Sequence, residues 1–197
     1  MKEITTLTVK LLLICGIVAA LLAGVNLVTE PIIAANNQKT FEAAMAEVLP
    51  EASSFDQLSS EGFTPSETGV RLDSIYRAGG GGYVVSTVCS EGYGGDISVM
   101  VGITADLKVK QAKVMSMSET PGLGAKSTEP KFIDQYSGLS GGVQVIKNSA
   151  PAGNEIEAIS GATITSKAVT KAVNAALEAA EAAAKSGTAA QKGGQNA

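Results

Sequence analysis

The 197-residue chain contains no histidine. That absence removes His-ligated haem, the common catalytic zinc sets and every Ser/His or Cys/His nucleophile pair. Cysteine is also scarce: Cys15 lies inside a long apolar run and Cys89 well outside it, so the two cannot form a useful staple. No metal-type cysteine spacing and no internal repeat occurs. Cys89 alternates with Tyr83, Val85 and Thr87 on one face of a predicted strand, which makes a buried structural thiol the expectation. With 15 Lys and Arg against 19 Asp and Glu the net charge is −4, and no basic cluster is available to follow a phosphate backbone. Nucleic acid is therefore not an expected partner. Redox or catalytic chemistry must come from carboxylates, hydroxyls or a cofactor.

What the chain does have is a front end built for lipid. Leu11 to Val28 is apolar apart from Asn26, and at about 1.5 Å per residue it spans roughly 27 Å, close to the hydrocarbon thickness of a bilayer. A cleaved secretory signal is the competing reading, with Lys2 and Lys10 as its basic region. The length of the run and the lack of a small-x-small site before Asn36 favour an uncleaved anchor. Lys2 and Lys10 on one side, against Glu30 and the more distant Lys39 on the other, place the N-terminus in the cytoplasm and the bulk of the protein outside it. The expected organisation is a cytoplasmic N-terminus at 1–10, a transmembrane helix at 11–28 and a helical stalk and linker at 29–69. A folded domain follows at 70–185, then a disordered tail at 186–197.

Beyond the anchor, Pro31 is expected to interrupt the helical pattern, and Phe41, Ala44, Met45, Val48 and Leu49 form an amphipathic stripe ending at Pro50. Ser53 to Gly69 is polar and rich in turn formers, so the core is expected to begin near Val70. Strands are predicted at Tyr83–Cys89, Ile97–Thr104 and Lys108–Met115, joined as an antiparallel meander with Ala105-Asp106-Leu107 as one turn. Pro121, Gly122 and Gly124 enforce a loop over 119–126. Thr128 is then expected to cap a helix carrying Phe132, Ile133 and Tyr136. A further short strand is predicted at Val143–Ile146, and Glu155–Ile159 leads into the Ser160-Gly161-Ala162-Thr163 loop, giving an α+β domain.

The most informative string is Ser160-Gly161-Ala162-Thr163, ahead of a helix predicted from about Thr165 on the spacing of Val169, Val173, Ala176 and Leu177. Gly161 permits a positive φ or close approach of a ligand, and Ala162 adds almost no bulk. A helix N-terminus directly behind them favours an anion such as a phosphate. The other reading is that Ser160, Thr163, Thr165 or Ser166 merely caps the helix. The two are compatible, and the residues alone leave both open.

Ser160-Gly161-Ala162-Thr163 resembles the flavinylation motif of the FMN-binding domain family, in which the Thr hydroxyl is esterified to the phosphate of FMN. Together with Gly92-Tyr93-Gly94-Gly95 and Glu119-Thr120-Pro121-Gly122-Leu123-Gly124, in that order behind one anchor, it resembles the G subunit of the Rnf complexes from the anchor to about Lys185. Those complexes are ferredoxin:NAD+ oxidoreductases that couple electron flow to Na+ or H+ translocation. The resemblance implies an extracytoplasmic FMN-binding domain of antiparallel meander and packed helices, on a single-pass anchor in a bacterial or archaeal cell membrane. Thr163 would carry covalent FMN, Ser160, Gly161 and Ala162 would complete the attachment motif, and Glu119, Thr120, Gly122, Leu123 and Gly124 would lie near the flavin. Other membrane and peripheral subunits of the complex, the lipid bilayer and a flavin transferase for maturation are the implied partners. The chain would be a redox component with no complete activity alone, no catalytic residue of its own and no metal site.

Two positions depart from the pattern of relatives. Glu157 stands where the attachment signal usually has Asp, and Met117 where relatives often have His, so no proton transfer assigned to that His can operate here. The C subunit of the Na+-translocating NADH:quinone oxidoreductase shares the domain and the anchor but is usually larger. A membrane-tethered binding module without flavin, with Thr163 only a cap, is the reading from another class. Tyr83, Tyr93, Tyr136 and Phe132 are each either flavin-stacking or core aromatics. The Gly92–Gly95 segment alone could be a plain hairpin turn, and Glu119 a solvated loop carboxylate.

Overall fold

The computed structural model describes residues 2–59, 63–147 and 149–193, in two compact units that divide between Ala43 and Ala44. The first unit is the helix α1, which spans Lys2–Val48 and so continues into the second unit. It contains an apolar window of mean hydropathy 2.7 with none of its side chains buried, long enough to cross a membrane. Pro31 lies inside α1 and does not end it. A proline removes only one rung of the backbone ladder, and the run of helical residues on either side retains the rest.

The second unit is built on a five-stranded antiparallel meander in the order β1 (Phe55–Leu58), β2 (Val70–Ala78), β3 (Tyr83–Cys89), β4 (Ile97–Ile103) and β5 (Val109–Ser116). The three predicted strands are β3, β4 and β5, and two more precede them, the first inside the segment expected to be linker. Phe55 pairs with Ala78 and Leu58 with Ile75, so this edge strand belongs to the sheet. Gly80, Gly81 and Gly82, at φ +107°, +101° and +96°, turn β2 into β3, a backbone path closed to residues with a Cβ.

Every residue of β3 is buried, which requires cover on both faces. Val85, Cys89, Val99 and Val101 face α3 (Thr163–Gly193) in one cluster with Val169, Val173 and Leu177. Small residues on α3, among them Ala168, Ala172 and Ala176, let the helix approach closely, and the Thr87 hydroxyl donates to the Ala172 carbonyl at 3.0 Å. On the opposite face the last turn of α1 crosses β4. A Cβ on Gly102 would come within 2.1 Å of the Val48 carbonyl oxygen, so only glycine fits there. Lys110 and Lys113 of β5 pair with Glu51 and Glu47. The amphipathic stripe of Ala44, Met45, Val48 and Leu49 is thus the cover of a sheet, and the folded unit begins near it, earlier than Val70.

After β5 come a 3-10 turn at Gly124–Thr128, the short helix α2 (Pro130–Ile133) and a second 3-10 turn at Asp134–Tyr136. Thr128 does not cap α2. Its hydroxyl donates back to the Ala125 carbonyl, and Glu129 takes the cap position with no side-chain bond. Strands β6 (Gln144–Ile146) and β7 (Glu155–Glu157) form a small parallel pair. It is tied to α3 by the Asn174 amide, which accepts from Val143 N–H at 2.9 Å and donates to Val143 C=O at 3.1 Å. The helix α3 begins at Thr163 and runs to Gly193, through most of the segment expected as a disordered tail; residues 194–197 lie outside the described residues.

Candidate functional site

The segment before α3 is fixed by its own hydroxyls. Gly161 adopts φ +79°, the left-handed turn that brings the chain into the helix. Buried Ser166 holds that turn from the helix side: its Oγ accepts from Ile159 N–H at 3.0 Å and donates to Ala162 C=O at 2.9 Å. Thr165, one of the other capping candidates, turns away and donates to Glu119 Oε2 at 2.7 Å. Thr163 is half-buried and makes no side-chain hydrogen bond to the described residues. Ser166 therefore staples the turn without capping a first-turn N–H, and the Thr163 hydroxyl makes no side-chain bond among the described residues.

Glu119 ties the site together. It is 8% exposed, and its second oxygen, Oε1, accepts from Gly94 N–H at 3.0 Å. One carboxylate thus joins the Gly92–Gly95 turn to the first turn of α3. It is not the solvated loop group that its position in a Pro-Gly loop allowed. Backbone packs around it so tightly that a Cβ on Gly124 would lie 2.4 Å from Oε2 and one on Gly92 2.8 Å from Oε1. One neutral hydroxyl and one backbone amide take the place of water around this buried carboxyl group.

Above Glu119 opens a cavity of about 640 Å³ lined by Thr163 and its neighbours Gly161, Ala162, Ile164 and Thr165, by Thr120, Leu123 and Gly124, and by Tyr93 and Lys147. Seven of the nine residues expected at the site line it. Ser160 faces a neighbouring cavity of about 340 Å³, and Gly122, at φ +78°, shapes the loop without reaching the wall. Tyr93, Leu123 and Ile164 are the large hydrophobic residues exposed outside α1 among the described residues, at 72%, 45% and 53%. All three converge on this one cavity, which makes it the apolar feature of the domain surface. Lys147, which follows β6, is its one cationic lining residue. No sequence signal marked Lys147, because the short strand alone brings it there.

The remaining candidates sort themselves. Tyr136 and Phe132 meet edge to face in the core with centroids 5.7 Å apart, and Tyr83 is buried at the start of β3, which leaves Tyr93 as the aromatic at the cavity. Cys89 is fully buried, and burial pushes its thiol above its ordinary pKa, so it is an inert core group. Met117 packs against the core and its sulfur accepts from Ser127 Oγ at 3.4 Å. Glu157 is exposed beside Lys126 and Lys131, its backbone N–H donating to Gln135 Oε1 at 2.7 Å. No cluster of potential metal ligands occurs among the described residues.

Residues 92–178, which contain every lining residue of the cavity, match the FMN-binding domain family. Over 186 residues the chain is 37% identical to the G subunit of the Na+-translocating ferredoxin:NAD+ oxidoreductase complex of Acetobacterium woodii, covering 88% of this chain and 89% of that one. It is 32% identical over 179 residues to the G subunit of the proton-translocating ferredoxin:NAD+ oxidoreductase complex of Clostridium ljungdahlii, covering 89% and 90%. The chain belongs to the Rnf G-subunit family. Its relative in Methanosarcina acetivorans, the G subunit of an ion-translocating oxidoreductase complex, is 34% identical over 89% of this chain and 93% of its own. Among solved structures, NqrC of Shewanella oneidensis is similar over 64% of each chain, with 22% identity and a TM-score of 0.49. The residues present fit the ligand in the family's name. The cavity lies within the usual range of about 300–1,000 Å³ for cofactor sites, its walls combine exposed apolar side chains with hydroxyls, and a helix N-terminus and a lysine suit a phosphate.

Proposed function

We propose that this chain is a membrane-anchored electron carrier that holds FMN by a phosphoester to Thr163 and passes electrons between neighbouring subunits of an ion-translocating ferredoxin:NAD+ oxidoreductase. The uncommitted Thr163 hydroxyl, at the wall of the one cavity on which Tyr93, Leu123 and Ile164 converge, carries this reading. Bound flavin supplies reversible one- and two-electron storage, and the chain supplies position and electrostatics. Attachment forms one bond, Thr163 Oγ to phosphorus, as the pyrophosphate bond of a flavin adenine dinucleotide donor breaks; adenosine monophosphate leaves with the electron pair and the Thr163 proton passes to solvent. A flavin transferase is the proposed catalyst, because no side chain among the described residues hydrogen-bonds Oγ to take its proton.

The N-terminal end of α3 would favour the charge that remains on a phosphodiester at Thr163, and Ser166 holds the turn at Ala162 that leads into it. Lys147, on the same lining, would add a counter-charge. With the N-terminus in the cytoplasm the domain lies outside, where no flavin pool is maintained. Even a nanomolar site, worth about −12 kcal/mol, would there lose a freely exchanging cofactor by dilution, which a covalent bond prevents.

The test is in-gel fluorescence after denaturing electrophoresis of wild type and Thr163→Ala, each co-expressed with a flavin transferase and exported. A fluorescent wild-type band absent from the variant is the expected result. A dark wild-type band overturns covalent attachment and favours a binding module without bound flavin.

A further inference from the structure

Resting on the FMN reading above, we propose that Tyr93 is the surface on which the isoalloxazine ring stacks. Of the four candidate aromatic residues, three belong to the core. Tyr93 alone lines the cavity, with 72% of its surface exposed. An exposed tyrosine on a surface turn is ordinary; this one sits on a turn that cannot move freely. Gly94 N–H is held by Glu119, a Cβ on Gly94 would lie 2.0 Å from the Ser118 carbonyl oxygen, and one on Gly92 would lie 2.3 Å from the Gly95 carbonyl oxygen. The glycines on either side of Tyr93 are thus packed against backbone, and the ring is presented from a fixed base.

The cavity's other apolar walls are aliphatic. Leu123 and Ile164 carry its remaining exposed apolar surface, and the Leu123 Cδ2 atom lies close enough to Gly161 that an added Cβ would approach it to 3.1 Å. An aromatic together with branched aliphatics suits a flat, polarisable ring, which gains from both dispersion and an offset stack. Thr163 lies on the same lining, so one cavity offers both the attachment point and the ring platform. Phenol side chains stacked on a flavin quench its fluorescence by donating an electron to the excited ring, whereas leucine does not. That difference gives a readout independent of enzyme turnover.

Wild type, Tyr93→Leu and Tyr93→Phe, all flavinylated, are compared by flavin fluorescence in the native state and after denaturation. Equal fluorescence of the denatured bands, with native emission several-fold higher in Tyr93→Leu than in wild type, is expected. Tyr93→Phe keeps the stack without the phenol, so it should retain the visible circular dichroism of wild type while regaining emission. Equal native emission in wild type and Tyr93→Leu overturns the proposal. Should the denatured wild-type band be dark, covalent attachment fails on its own account, and free FMN titrated into both proteins decides the stacking. Quenching by wild type alone retains Tyr93, and equal emission in both overturns it.

Discussion

Glu119 and Thr165 stand 46 positions apart and meet through a buried 2.7 Å hydrogen bond, which ties the Pro-Gly loop to the first turn of α3. Replacing Thr165 by valine keeps its shape and removes the donor, leaving a buried carboxylate oxygen without a partner. The expected loss is about 1–3 kcal/mol, with a similar loss for Glu119→Ala. Because the two share one bond, the double variant should lose less than the sum, by a coupling of roughly 0.5–3 kcal/mol. Urea unfolding of the four proteins measures this, and strict additivity would contradict the bond.

Gly102→Ala should destabilise the domain strongly, because the added methyl would lie 2.1 Å from the Val48 carbonyl and that atom is backbone. Overpacking of this kind costs about 1–3 kcal/mol or more. Gly141→Ala is the control, since nothing lies within 4 Å of its Cβ position. A melting curve for each variant checks it, and equal shifts would argue against the close crossing of α1 over β4.

Tyr136 predicts an alkaline limit. Complete burial pushes its phenol far above the ordinary value, outweighing the Thr170 hydroxyl at 2.7 Å, which favours the charged form. The folded state therefore keeps a proton that the unfolded chain has lost. Stability is undiminished below about pH 10 and falls as pH rises beyond it. Tyr136→Phe should flatten that fall at a neutral-pH cost of about 1 kcal/mol, since Thr170 still donates to the Ser166 carbonyl. Denaturant midpoints either side of pH 10 provide the comparison.

Lys171 and Glu91 give a shallower dependence at both ends. Their 2.8 Å bond lowers the Glu91 carboxyl and raises the Lys171 ammonium. The pair's support is present above the unfolded carboxylate value near 4.5 and lost as acid protonates Glu91. It is present below the unfolded lysine value near 10.5 and lost as base removes the Lys171 proton. Both groups are solvent-facing, so Lys171→Met should lower the melting temperature slightly between those limits and converge on wild type outside them, an effect that salt shrinks.

How legible all this is depends on period. In β3 Tyr83, Val85, Thr87 and Cys89 share one face, and in β4 Ile97, Val99, Val101 and Ile103 do, so their faces can be read directly. β2 hides because it is bulged: the register shifts between Leu72 and Ser74, so core contacts pass from Val70 and Leu72 to Ile75 and the even spacing breaks. β1 hides because four residues with one charge, Phe55-Asp56-Gln57-Leu58, carry no period at all. At the site, Thr163 and the Pro-Gly loop are readable as motifs, whereas the burial of Glu119, the selection of Tyr93 from four aromatics and the arrival of Lys147 are products of tertiary contact.

The strap before β2 reaches far along the chain. Ser66 N–H donates to Glu178 at 3.0 Å, 112 positions later, and the Thr68 hydroxyl oxygen accepts from Lys171 at 3.2 Å. The meander, whose neighbouring strands are consecutive in sequence, can assemble early, while these closures await the last helix. Since Thr163 opens that helix, the attachment site proposed for it is complete only after α3 has been made and docked. If the phosphoester proposed for Thr163 forms there, covalent loading follows folding in time, and the fraction of molecules carrying cofactor tracks those that reached the native state.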